Sequence, residues 1–196
     1  MKNRALFIDR DGVINHMILQ KNGNFDSPQN PAQIMLVDGV VDVILLMNNL
    51  NIPVIEVSNQ PGVALGKMNW QLLENIENKI HSLLNERGVH IHKSYRCFHH
   101  PESGISDLKM ICQCRKPNPG LLLQATSEYK LDLEQCIILG DNATDMEAGR
   151  KVGCRTILFF HTNDLPHKIK TKETYPAEFR VRSHAEVIPI LKKLFL

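Results

Sequence analysis

The 196-residue sequence is poor in aromatic residues, 6% in all, with one tryptophan and three tyrosines. It has no basic stripe either, and its formal net charge is +2 with histidine neutral. These absences remove the stacking platform and cationic groove of a nucleic-acid binder, and any bulk attraction to a membrane surface. No run of about twenty apolar residues occurs, so no transmembrane span is expected. The apolar stretch Ala5 to Ile8 ends at Asp9 and is too short for a signal-peptide core, which makes a cytoplasmic protein the expectation. The cysteines number five, and an odd count in a chain without a signal argues against a disulfide framework.

What is present reads as one soluble globular domain over residues 1–196, with 43% hydrophobic and 22% charged residues. Apolar runs of strand length alternate with helical patterns. Strands are predicted over Ala5–Ile8, Ile52–Val57, Val89–Tyr95, Ile137–Leu139 and Thr156–Phe160. Helices are predicted over Val40–Leu50, Asn69–Arg87 (closed by Gly88), Gly120–Tyr129, Asp145–Val152 and Glu186–Leu196. The alternation implies βαβ units and an α/β fold, a Rossmann-like three-layer sandwich with a central parallel sheet. Met17–Pro31 and His161–Tyr175 read as long polar loops, too short for a large cap domain.

In such a sheet the ligand site lies at the carboxyl ends of the strands. Three predicted ends carry polar residues: Asp9 and Asp11, Ser58-Asn59, and Asp141. Asp-Arg-Asp-Gly alone would be an ordinary turn. Its place after a buried strand, matched by Gly140-Asp141 after another, favours a site. Two carboxylates one residue apart point the same way from an extended segment. With Asp141 they make a threefold negative site that calls for a hard cation, and Mg2+ shared with a substrate phosphate fits. One carboxylate can attack phosphorus while the other moves the proton.

Residues 96–119 are irregular and rich in Cys, His and Pro. Cys97-Phe98-His99 and Cys112-Gln113-Cys114 supply three thiolates and an imidazole, the inventory of a closed structural Zn2+ site. Incidental cysteines are the plainer alternative, opposed by four soft ligands in one loop. His100 can replace His99, and is read instead as a surface or supporting residue. Cys136 and Cys154 sit in apolar surroundings and read as core.

Phe7-Ile8-Asp9-Arg10-Asp11-Gly12-Val13-Ile14-Asn15 resembles the first motif of the haloacid-dehalogenase superfamily phosphatases. Ser58-Asn59-Gln60 resembles the second, Lys116 the third, and Gly140-Asp141-Asn142-Ala143-Thr144-Asp145 the acidic fourth. The resemblance implies that Asp9 is the nucleophile and Asp11 the acid/base, with Ser58 and Lys116 holding the phosphoryl group. It also implies that Asp9, Asp11 and Asp141 bind Mg2+, Asp11 more often through its backbone carbonyl. Arg10, Asn59, Gln60, Arg115 and Asn142 are then expected to contact substrate. The Cys-His segment, running on through Arg115-Lys116-Pro117-Asn118-Pro119-Gly120, resembles the D-glycero-D-manno-heptose-1,7-bisphosphate 7-phosphatases. Histidinol-phosphate phosphatases share the four ligands with a shorter gap between the pairs. The likeness runs from about Ala5 to Phe160 and implies a small sugar phosphate as substrate; a monomer is the expectation.

The chain departs from that pattern at three places. Met17-Ile18-Leu19-Gln20 stands where the family has Asp-His-Gly-Tyr, Leu65 replaces an arginine, and Asn142 a lysine. A guanidinium grips phosphate bidentately and leucine cannot. Lys67 and Lys21 are the cations that can compensate. Two alternatives follow: a phosphatase for histidinol phosphate or another small ester, and a zinc-stabilised binding protein without catalysis, against which the intact Asp9/Asp11 pair argues.

Overall fold

The computed structural model describes residues 3–20, 23–161 and 173–196. Its centre is a six-stranded sheet, wholly parallel, in the order β5-β4-β1-β6-β7-β8. The strands are β1 (Leu6–Ile8), β4 (Val54–Asn59), β5 (Lys93–Cys97), β6 (Ile137–Gly140), β7 (Arg155–Phe159) and β8 (Phe179–Val181). The short strand β1 sits in the middle, with Leu6 opposite both Val54 and Ile137. It is covered on both faces, so every residue in it is apolar and buried.

Alternate side chains of β1 feed two cores. Leu6 and Ile8 face one layer of helices, built from α1 (Val40–Asn49), α2 (Trp70–Asn85) and α5 (His184–Phe195). Val40, Val43, Ile44 and Met47 of α1 and Ile76, Ile80 and Leu84 of α2 recur at helical spacing and pack there. Phe7 points the other way, with Ile55, Val57 and Ile138, against α3 (Gly120–Tyr129) and α4 (Ala143–Lys151). The expected three-layer α/β sandwich is thus the observed one, without a large cap domain among the described residues.

Helix α3 has the predicted bounds, and most other elements shift by one or two residues. β5 begins later than predicted. Val89 still belongs to the turn closing α2, its N–H bonded to the Leu84 carbonyl at 3.2 Å, and the strand runs on to Cys97, opposite Asn59. Two elements were not predicted. The polar stretch Met17–Pro31 contains an antiparallel ribbon of β2 (Ile18–Leu19) and β3 (Phe25–Asp26). β8 adds a three-residue edge. Most of the second predicted loop, residues 162–172, lies outside the described residues. No described helix is long and apolar enough to cross a membrane.

Chain order reverses at β1: β4 and β5 lie to one side, and β6, β7 and β8 to the other. The crevice at this switch point lies beyond the carboxyl ends of β1, β4 and β6.

Candidate active site

Asp9 follows β1, its N–H bonded to the Leu139 carbonyl at 3.0 Å, and Asp141 follows β6. Carboxylate oxygens of Asp9, Asp141 and Asp145 lie within 4.8 Å of one another. Asp145 comes from the first turn of α4 and folds back over Gly140. A Cβ at Gly140 would stand 2.4 Å from that of Asp145, so only glycine permits this approach. The Asp145 carboxylate also accepts the Asn142 N–H at 3.0 Å.

Lys116 enters this acidic group from the opposite side. Its ammonium donates to Asp9 Oδ1 at 2.9 Å and to the Val57 carbonyl at 2.7 Å, and it pairs with Asp145. Burial disfavours its charge, yet Asp145 and Asp9 hold its pKa above the ordinary lysine value. Burial is also the main force on Asp9, raising its carboxyl to about 7; Lys116 opposes the rise, while Asp145 and Asp141 add to it. Asn59, at the end of β4, fixes the lysine backbone with two bonds of 3.0 Å, its amide donating to the Lys116 carbonyl and accepting the Lys116 N–H.

Asp11 does not share the direction of Asp9. The chain turns after Arg10, whose carbonyl accepts the N–H groups of Ile14 and Asn15 at 2.8 and 3.1 Å. Gly12 takes a φ of +92°, and a Cβ there would meet Asp141 Oδ2 at 2.6 Å. The Asp11 carboxylate therefore faces its own nest of donors: Arg10 Nη2 at 2.9 Å, Asn15 Nδ2 at 3.0 Å, Ser27 Oγ at 2.9 Å and Gln60 Nε2 at 2.7 Å. Burial alone would raise its pKa, but Arg10, with Gln60 and Asn15, holds the carboxyl below the usual range. Gln60 also donates to Ser58 Oγ at 2.8 Å.

Cys97, His99, Cys112 and Cys114 converge in the loop after β5, their ligand atoms all within 4.8 Å. The sulfur–sulfur separations are 3.1 to 3.4 Å, and His99 Nδ1 is 3.2 Å from Cys114 Sγ and 3.7 Å from Cys97 Sγ. A disulfide would be about 2.05 Å, and a tetrahedron with bonds of about 2.3 Å has edges of about 3.8 Å. All four cysteines and histidines of the group thus crowd around one point as metal ligands do. His100 stands outside it, its Nδ1 accepting the Glu102 N–H at 3.1 Å.

Known proteins resemble this chain in both sequence and fold. A HAD-hydrolase-like family model matches residues 113–182. A D-glycero-beta-D-manno-heptose-1,7-bisphosphate 7-phosphatase of Mesorhizobium japonicum is 37% identical over 150 residues, 76% of this chain; the chain spans 65% of that relative's length. The enzyme of the same name from Escherichia coli K12 is 32% identical over 160 residues, 78% of this chain and 79% of the relative. The chain belongs to the HAD-like phosphatases. A solved D,D-heptose 1,7-bisphosphate phosphatase from B. bronchiseptica, complexed with magnesium and phosphate, superposes with a TM-score of 0.78 at 26% identity, covering 98% of this chain and 99% of that one.

Within this phosphatase family, a class of phosphoric monoester hydrolases, the chain arranges its expected residues unevenly. Asp9, Ser58, Lys116 and Asp141 come together at the strand ends. The Asp11 side chain stands outside the carboxylate group that was expected to include it, and Asp145 occupies that place, for the turn geometry given above. Arg10 was expected at the substrate. It is instead fully buried, paired with Asp11 and lying 3.6 Å from Glu77, which in turn pairs with Arg96. Asn59 spends its amide on Lys116 rather than on the open site, and Gln60 spends its own on Asp11 and Ser58. Arg115 donates to the His99 carbonyl at 3.4 Å, and Asn142 is exposed at the rim.

Three contributors were missed. Asp145 had a signal, five residues after Gly140 within an acidic motif. Ser27 had none, because its contact with Asp11 depends on the β2–β3 ribbon. His161, whose Nε2 lies 3.0 Å from Asp141 Oδ2, follows an apolar strand and looked like the start of a loop.

Proposed function

We propose that the protein is a magnesium-dependent phosphatase acting on D-glycero-D-manno-heptose 1,7-bisphosphate at its 7-phosphate, through an aspartyl-phosphate on Asp9. The observation that carries this is the buried Asp9 carboxylate held against Lys116 at the carboxyl end of β1, in a phosphatase fold. Asp9 attacks phosphorus in line, the bond to the ester oxygen breaks, and Asp11 gives that oxygen its proton. Asp11 then takes a proton from the water that attacks the acyl-phosphate, and inorganic phosphate leaves with Asp9 restored. Ser58 Oγ and the Lys116 ammonium donate to the phosphoryl oxygens as their charge builds. For this, Asp11 turns out of its donor nest toward the leaving oxygen.

The acidic group fits a divalent cation, since three carboxylates face a single ammonium. Asp9 and Asp141 would hold Mg2+ with the backbone carbonyl of Asp11, leaving Asp145 to Lys116. Bound Mg2+ supplies charge neutralisation at the phosphoryl group. The reading covers the whole chain as one catalytic unit, cytoplasmic and monomeric. Phosphate release should be highest with heptose 1,7-bisphosphate, lower with histidinol phosphate and simple sugar phosphates, and lost on chelation of Mg2+. Activity confined to histidinol phosphate or another monoester would overturn the substrate assignment, and inactivity on all of them the phosphatase reading.

The four-residue Cys/His cluster would hold one structural Zn2+, all positions being taken by protein ligands. It braces Lys116 from behind: Cys97 ends the strand paired with Asn59, Asn118 Nδ2 donates to the Cys112 carbonyl at 2.9 Å, and Gly120 N to the Gln113 carbonyl at 2.9 Å. Cys112→Ser is therefore expected to lose the zinc and to lower kcat by about 10- to 100-fold, the scale of disturbing a support around a site. Elemental analysis with steady-state kinetics checks this. Full zinc loss with unchanged kcat would mean that the loop holds Lys116 without the metal.

A further inference from the structure

To protonate the leaving oxygen Asp11 must turn away from its donors, and its departure would strand a buried cation. Arg10 is fully buried and grips the Asp11 carboxylate with two nitrogens, Nε at 3.3 Å from Oδ1 and Nη2 at 2.9 Å from Oδ2. Its third nitrogen, Nη1, faces Glu77 Oε1 of α2 at 3.6 Å. Both of these atoms are buried, and neither has a hydrogen-bond partner among the described residues. We propose that Glu77 is a positioning residue for Asp11: it takes over the Arg10 guanidinium when Asp11 turns to the leaving oxygen. Its role in turnover rests on the phosphatase reading above; the sharing of Arg10 does not.

Geometry is the first ground. A separation of 3.6 Å falls a few tenths of an ångström short of a hydrogen bond. A guanidinium carries its donors in a rigid planar fork, so a small tilt that loosens its edge on Asp11 closes the gap to Glu77. Glu77 is held to receive it from behind. Its Oε2 pairs with Arg96 Nη1 at 2.6 Å, and Arg96 Nε pairs with Glu56 Oε1 of β4 at 3.0 Å. The carboxylate stays where it is, and the arginine makes the movement.

Charge is the second ground. Asp11, Glu77 and Glu56 set three carboxylates against the guanidiniums of Arg10 and Arg96. Burial pushes the neighbouring His81 imidazole below its ordinary value, so it adds no counter-charge. With Asp11 in place the group has one negative charge too many. Burial raises the Glu77 carboxyl to about 7; Arg96 and Arg10 oppose the rise, while Glu56 and Asp11 add to it. With Asp11 turned away, two carboxylates match two guanidiniums, and Glu77 loses one of the charges that worked against its own. Without Glu77 the same turn would leave Arg10 a buried cation in contact with no carboxylate, the costly outcome of breaking a buried pair.

Thermal melts in metal-free buffer test the sharing. Glu77→Gln alone should keep the Tm within about 5 °C of wild type. Combined with Asp11→Ala, it should lower the Tm by about 10 °C more than the two single changes together, because Arg10 then contacts no carboxylate. Additive losses overturn the sharing and leave the phosphatase reading standing. Steady-state kinetics test its use. With heptose 1,7-bisphosphate, Glu77→Gln should lower kcat by about tenfold with KM nearly unchanged, the scale of coupling between residues in contact. With p-nitrophenyl phosphate, whose leaving oxygen needs no proton, kcat/KM ends at the acyl-phosphate and should stay within about twofold of wild type. An equal loss on both esters, or a loss on neither, overturns the role in turnover. A wild type inactive on both overturns the phosphatase reading, while the melts still decide the sharing.

Discussion

Asp9→Asn is expected to lower turnover by about 10⁴-fold or more, the scale for loss of a nucleophile, with the fold retained. An amide cannot form the acyl-phosphate, and no other carboxylate can take its place. Asp145 is committed to Lys116, and Asp11 faces its own donors. The fold should survive because the substitution removes a burden. Burial, with Asp145 and Asp141, raises the Asp9 carboxyl to about 7 against the pull of Lys116, so a neutral amide of the same shape removes a disfavoured charge from the metal-free protein. Lys116 keeps Asp145 and the Val57 carbonyl. Steady-state phosphate release and thermal melts with and without Mg2+ check both halves. Mg2+ should raise the Tm of the wild type more than that of the variant, which has lost a ligand. Activity within about tenfold of wild type would exclude Asp9 as nucleophile.

Lys116→Met should be costly to both stability and rate. The ammonium is the counter-charge shared by Asp9 and Asp145, all three being buried. Removing it leaves two buried carboxylates beside Asp141 without a cation, a loss of about 3–5 kcal/mol in metal-free buffer. Turnover should fall by about 10²–10³-fold, as when one donor to a developing negative charge is removed. Excess Mg2+ should restore part of the stability and little of the rate, because it neutralises the carboxylates without replacing the donor. Denaturant unfolding at low and high Mg2+, beside kcat, separates the two effects. A stable and fully active variant would place the phosphoryl group elsewhere.

The centre of the fold was legible because buried parallel strands are short apolar runs, and each ends where polar residues begin. That rule placed Asp9, Ser58 and Asp141 without regard to their chemistry. What it did not convey is direction. Asp9 and Asp11 are two apart, and an extended chain would aim them alike, but the chain turns after Arg10, whose carbonyl accepts the Ile14 and Asn15 N–H groups, and the two part. Arg10 looked like a cation ready for phosphate, and it is buried against Asp11 and near Glu77, 67 positions away on α2. Asn59 and Gln60 were found as site residues, yet their amides hold Lys116 and Asp11 in place. The β2–β3 ribbon was invisible because two-residue strands are too short to show a period.

The Cys/His loop is tied down at both ends, and between them it touches the body of the protein through Ser103 and Gly104, which both bond the Ala64 carbonyl. Cys97 is anchored by the sheet, and Lys116 by the paired bonds of Asn59. After the anchor at Ser103 and Gly104, residues such as Ile105, Met110 and Ile111 lie exposed. A loop closed at its base pays little for added length, since the closing entropy grows only logarithmically. The exposed stretch from Ile105 to Ile111 can therefore lengthen, shorten or change sequence without moving the lysine. New substrate contacts can be tried there by insertion and deletion while the phosphoryl chemistry stays in register, which makes this segment the natural place for related proteins to diverge.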